Sequence, residues 1–177
     1  MENIFKPKKD HSTFEWDNLG DIKEGRGTLG TEMPVLVYRL MQFTIYDVLS
    51  KNLGREKADE ILCAAGFLAG SEFAKNTLDL SLNFNSFIAN LQETMANLKV
   101  GIVRIESVDN EAKNIVLTVA EDLDCSGLPL TDETVCIYDE GFIAGILKTY
   151  TQVDYTVKEV DCWASGDRIC RFHCQSK

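Results

Sequence analysis

The chain changes its periodicity near its middle. Between positions 34 and 98 apolar residues recur at helical spacing, whereas from 102 onward they fall mostly in short strand-like runs. Helices first and strands afterwards predict an α+β fold, a helical half packed on a small antiparallel sheet, rather than alternating βαβ units. A first helix is expected from Pro34, which a first helical turn tolerates, to about Asn52 before Gly54. A second covers about 55–76. A third, starting near Asn83 or Asn85, puts Phe84, Phe87, Ile88, Leu91, Met95 and Leu98 on one stripe. Segments 102–108 and 114–120 read as strands joined through Asp109-Asn110, 138–150 as a fourth helix, and 152–164 with 168–175 as a closing hairpin. A length of 177 residues suits one domain, divided into an arm (1–28), a helical half (29–100) and a sheet half (101–177).

Charge narrows the partners. Eighteen Lys and Arg against 28 Asp and Glu leave a net charge of −10. Such a field repels phosphate backbones and anionic membranes, so no nucleic acid is expected. The longest run free of charge, 61–70, is ten residues, short of the roughly 20 that a membrane-spanning helix needs. The first 24 residues show no apolar signal-peptide core, so a cytoplasmic protein is expected.

Two helices carry further information. In the first, Val37, Met41, Ile45 and Val48 cluster on one side, while Arg39, Phe43, Tyr46 and Ser50 run down the other. Either the helix is covered on both sides by its own domain, or Phe43 and Tyr46 face a second subunit and the protein is a homodimer. The second helix carries Ala64, Ala65, Gly66, Ala69 and Gly70. Glycines inside a helix cost roughly 1 kcal/mol each, which close approach of another helix would offset. A ligand against the same small face is the rarer alternative. Gly25-Arg26-Gly27-Thr28-Leu29-Gly30 matches a dinucleotide-binding pattern, but the polar segment before it is no buried strand, so it reads as an entry to the first helix.

Five of the six cysteines (Cys125, Cys136, Cys162, Cys170 and Cys174) fall in the last 53 residues. In a reducing compartment such a cluster reads as metal-binding, catalytic or buried. A hairpin centred on Gly166 places Cys162 opposite Cys170, with Cβ atoms roughly 4.5–5.5 Å apart, which suits two thiolates on one tetrahedral zinc. On the entering strand Val153, Tyr155 and Val157 form an apolar face whose next member is Glu159. A carboxylate there must be paired, with Arg168 or Arg171, or be bound to metal. Glu159 and Cys162 share a face only if a bulge lies near Val160-Asp161. Spacing alone leaves metal ligation and plain burial both open.

The runs Thr134-Val135-Cys136, Glu140-Gly141-Phe142-Ile143-Ala144-Gly145, 157–167 and Cys170-Arg171-Phe172 resemble the 4-vinyl-reductase domain family, which includes hydrocarbon-binding proteins and the sensor domains of phenol-responsive activators. The resemblance covers about 124–173, and more loosely 29–73. It implies a zinc ion held by Cys136, Glu159, Cys162 and Cys170, with Cys125, His173 and Cys174 outside the matched set; Cys174, on the face of Cys170, or His173 would replace Glu159 if that carboxylate does not bind. It also implies a fold related to Golgi-transport tethering subunits and nitric-oxide sensors, with a ligand chamber between helices and sheet. Haem is not expected, since the only histidines are His11 and His173. Candidate chamber residues are Phe87, Leu91, Tyr138, Phe142 and Val157, each of which would serve equally as core.

The function so implied is a zinc-containing protein for an apolar or aromatic small molecule, acting as sensor or carrier rather than enzyme. One rival is reduction of a tetrapyrrole vinyl group, or an accessory role in it. Reduction needs an electron source, and no nicotinamide or flavin motif stands in the sequence. The other rival is thiol redox sensing by the clustered cysteines.

Overall fold

The computed structural model describes residues 13–109, 111 and 113–177, so His11 and Asn110 lie outside the described residues. Two units divide the chain at Glu32 and Met33. In the first, a 3-10 turn (Trp16–Leu19) precedes a four-residue helix α1 (Ile22–Gly25), whose Asp21 cap accepts the Glu24 amide at 2.9 Å. Helical turns therefore stand where a dinucleotide motif needs a strand, and the glycine pattern at 25–30 is no nucleotide loop.

The second unit holds helices α2 (Val35–Leu53), α3 (Arg55–Thr77), α4 (Phe84–Asn97) and α5 (Ile137–Thr151). Its strands are β1 (Ile102–Asp109), β2 (Asn114–Ala120), β3 (Tyr155–Asp161) and β4 (Cys170–Ser176). All pairs are antiparallel, in the order β1-β2-β4-β3. The last strand in sequence thus sits inside the sheet, which accounts for its alternate burial of Cys170, Phe172 and Cys174. Leu117 faces Phe172, Val119 faces Cys170 and Val157 faces Cys174 in a continuous inner row. Against this face lie α4 and α5, with α3 on α5 and α2 on α3. Of the α4 stripe, Phe87, Ile88, Leu91 and Met95 are buried, while Leu98, at the helix end, is exposed.

The small-residue face of α3 packs on a helix. A Cβ at Gly66 would stand 2.0 Å from the Tyr138 carbonyl oxygen, and one at Gly70 2.0 Å from that of Phe142. Reciprocally, a Cβ at Gly141 would meet the Cys63 carbonyl at 1.9 Å. Glycines on both helices bring the backbones of α3 and α5 together, which explains why glycine is retained despite its helix cost.

The orientation expected of α2 is reversed. The side chosen as core-facing, Val37, Met41, Ile45 and Val48, is exposed, as are Leu36 and Leu40. The opposite side meets the fold through polar groups. Tyr38 and Gln42 donate to the Asp124 carboxylate at 2.8 and 2.6 Å, Arg39 Nε donates to the Leu123 carbonyl at 2.7 Å, and Tyr46 donates to Asp59 at 2.7 Å. Helical periodicity marks two faces but not which one the rest of the chain covers. A partner subunit on the Arg39, Phe43, Tyr46 and Ser50 stripe is therefore excluded at Arg39 and Tyr46, which the same chain already holds.

Candidate metal centre and ligand chamber

Chain geometry gathers four cysteines at one end of the sheet. After β2, Asp122 Oδ1 accepts the backbone amides of Asp124 (2.7 Å) and Cys125 (3.3 Å), a tight turn that carries Cys125 inward. Cys136 is the N-cap residue of α5. Cys162 follows β3, where the register shifts between Glu159 and Asp161. That irregularity lies where the alternation argument requires it, and both Glu159 and Cys162 turn inward. A 3-10 turn (Trp163–Ser165) and Gly166, at φ 109° in a region that favours glycine, return the chain to Cys170.

The sulfurs of Cys125, Cys136, Cys162 and Cys170 all lie within 4.8 Å of one another, and all four residues are buried. Cys125 and Cys170 approach to 3.0 Å, while Cys136 stands 3.9 Å from both Cys162 and Cys170. A tetrahedral zinc with Zn–S bonds of about 2.3 Å has sulfur–sulfur edges of about 3.8 Å. The donor set therefore fits such an ion, with Cys125 and Cys170 moving slightly apart. Hydrogen bonds from Cys125, Cys136 and Cys170 pull the Cys162 thiol well below the ordinary range, so a thiolate forms there first.

The group departs from the expected set at one position: it takes in Cys125 and leaves Glu159 outside. Glu159 Oε2 instead accepts the Cys136 backbone amide at 3.0 Å, and the Glu159 amide donates to Glu140 Oε1 at 2.9 Å. The two arginines considered as its partners are engaged elsewhere. Arg171 pairs with Glu106 (2.7 Å) and Asp161, and Arg168 lies over the Trp163 ring at 5.2 Å. Burial pushes the Glu159 carboxyl up to about 7. Cys174, held in reserve for the same role, stays in the inner row of the sheet, and His173 is exposed. The signal for Cys125 was the short acidic turn that follows β2, which no strand alternation reveals.

Beside the centre, an apolar cavity opens between α4, α5 and the sheet. Leu91, Met95, Val103, Leu117, Phe142 and Ile146 are among its walls, around about 570 Å³ of empty space that is partly open to solvent. Two carboxylates line it as well, Asp122 and Asp139. Burial raises both above the ordinary carboxylate range, Asp122 to about 7. Of the chamber residues expected from sequence, Leu91 and Phe142 line this space. Phe87 stacks on Tyr150 with ring centroids 3.8 Å apart, Tyr138 stacks on Phe142 at 6.4 Å, and Val157 lies in the sheet row against Cys174. Those three serve as support behind the wall.

Residues 115–175 match the family model of the 4-vinyl-reductase domain, a span that contains all four clustered cysteines, α5 and three of the four strands. This segment is a 4-vinyl-reductase domain. Among curated proteins, an uncharacterized protein of Methanocaldococcus jannaschii is 29% identical over 144 residues, 81% of this chain and 78% of its own length. Three solved structures share the fold around the 4-vinyl-reductase segment. The phenol-responsive sensory domain of the transcription activator PoxR aligns with TM-score 0.64 and 17% identity, over 83% of this chain and 78% of that one. A vinyl-4-reductase family protein from M. jannaschii gives 0.61 and 15%, over 94% and 98%. A trafficking protein particle complex subunit 3 from Naegleria fowleri, covalently bound to palmitic acid, gives 0.57 and 13%, over 81% and 94%. The α+β fold expected from the sequence is the one these proteins share.

Proposed function

We propose that this chain is a zinc-containing protein that binds a small apolar or aromatic molecule, as a sensor or carrier. One observation carries the reading: the same segments build the cysteine cluster and the walls of an apolar cavity. Helix α5 supplies Cys136 at its start and Phe142 six positions on, and β2 supplies Leu117 and Val119 shortly before the Asp122–Cys125 turn. The PoxR domain, by its description phenol-responsive, and the palmitate-bearing trafficking subunit support an apolar or aromatic ligand in this fold.

In this reading the zinc is held by Cys125, Cys136, Cys162 and Cys170. Four thiolates leave no open coordination position, so the ion supplies structural cross-linking and not chemistry. It fixes the entry of α5 and hence the direction of the Phe142 ring. The protein is a homodimer through the exposed apolar face of α2, in a reducing cytoplasm that suits six unpaired cysteines. Among the described residues no helix is long and apolar enough to cross a membrane. Native mass spectrometry tests these points together: one zinc per chain, two chains per particle, and mass gain with a small aromatic compound. Absence of both metal and ligand uptake removes the reading.

One observation favours a second reading, thiol redox sensing. Cys125 and Cys170 are 3.0 Å apart, close enough that a two-electron oxidant which expels the metal would join them. Thiol counting after peroxide treatment, with and without prior zinc loading, separates the two. Loss of two thiols from the loaded protein at low oxidant supports sensing.

A further inference from the structure

The carboxylates of the chamber have no part in the reading above, on which the following rests. Asp122 and Asp139 line the cavity, and an oxygen of each lies within 4.8 Å of the other. Asp122 Oδ1 is occupied by two backbone amides. Asp139 Oδ2 is buried without a hydrogen-bond partner, and among the described residues no ion pair involves either side chain.

Helix capping normally uses such a residue. Asp139 is the third residue of α5, the position whose side chain reaches back to the N-cap amide. Here that amide, of Cys136, is taken at 3.0 Å by Glu159 from β3. Asp139 is thereby released from the capping role that its position predicts, and its free oxygen is left at the cavity. A buried acceptor left open in this way calls for a donor from outside the chain.

Charge selects the donor. Four thiolates around a divalent ion carry a net negative charge, and two carboxylates adjoin them. A neutral head would leave that field uncompensated, while a cation offsets it. We propose that the chamber takes an apolar ligand that ends in a cationic amine, with Asp139 and Asp122 as its anchor. An ammonium has three donors, and two oxygens within 4.8 Å are both reached from one nitrogen at about 2.8 Å each. The hydrocarbon part then lies along Phe142, Leu91 and Ile146.

Benzylamine, benzyl alcohol and ethylbenzene have the same size and differ only in the head, so calorimetric titration of the full chain with the three isolates the anchor. Benzylamine is expected to bind at least about ten-fold more tightly than either of the others, ~1.4 kcal/mol. Asp139→Asn should abolish that preference while ethylbenzene affinity and metal content per chain stay at wild type. Equal binding of the three, or an unchanged preference in Asp139→Asn, overturns the anchor. If ethylbenzene binds and benzylamine does not, the chamber stands and the anchor falls; if none binds, both fall. Loss of metal from a folded Asp139→Asn would make Asp139 part of the metal centre and also overturn the proposal. Should that variant not fold, the wild-type series decides alone.

Discussion

Glu159 Oε2 accepts the Cys136 backbone amide at 3.0 Å, a bond that ties β3 to the start of α5 across 23 positions of sequence. The carboxylate therefore holds a metal-centre residue by its backbone while the sulfur stays free for the ion. Glu159→Gln keeps an acceptor oxygen and should retain one zinc per chain. Cys125→Ser should reduce zinc content to well below one per chain. Elemental analysis of the two variants checks this, and the reverse pattern would return the fourth ligand to Glu159. Glu159→Ala, which strands a buried amide, should cost roughly 1–3 kcal/mol in urea unfolding.

The contact of α3 with α5 leaves no room for a methyl group. Gly66→Ala would bring a carbon to within 2.0 Å of the Tyr138 carbonyl, which only a shift of the helices relieves. Overpacking of this kind costs roughly 1–3 kcal/mol or more, and thermal melting should show it. Ala65→Ser, one position earlier and exposed, should stay within about 0.5 kcal/mol of wild type.

Element order, and element ends to within a few residues, were legible because each helix and strand carries its own period and stop signals. Gly54 ends α2, and Asn83 caps α4 through a 3.1 Å bond to the Ser86 amide. Two of the site's features were legible for the same reason. The inward row of β3 identified Glu159 as a buried acid, and the turn at Gly166 set Cys162 against Cys170. What local pattern does not contain is which distant segment arrives at a given face. Cys125 reaches the cluster through a turn whose packing partner is 45 residues away. The two sides of α2 differ in polarity, but only the position of Asp124 reveals that the polar side points inward.

That inverted helix makes a prediction of its own. Its inward side is held by Tyr38, Arg39, Gln42 and Tyr46, while Leu36 is 76% and Leu40 63% exposed. A contiguous apolar face of this kind marks an interface. Leu40→Glu should convert a dimer to a monomer in light scattering without loss of zinc. Phe43→Glu, on the stripe first considered, should disturb association less. Two variants of identical mass in solution would place the interface elsewhere.

Cys174 sits in the inner row of the sheet between Ile115 and Val157, and burial pushes its thiol up to about 12. In the unfolded chain a thiol titrates near about 8.5. Between those values the folded state keeps a proton that the unfolded state has released. Its contribution is therefore fully present below about pH 8.5 and is lost as pH rises toward the folded value, at up to ~1.4 kcal/mol per pH unit. From about pH 8 to about pH 10 the loss amounts to roughly 2 kcal/mol by the same relation. Cys174→Ala removes the titrating group and adds a packing penalty that does not vary with pH. Urea unfolding of wild type and variant at both pH values should give curves that converge as pH rises, because only wild type carries this term. Cluster thiols already bound to zinc as thiolates add no comparable term of this sign. If the two proteins lose stability in parallel, the alkaline sensitivity originates at another group.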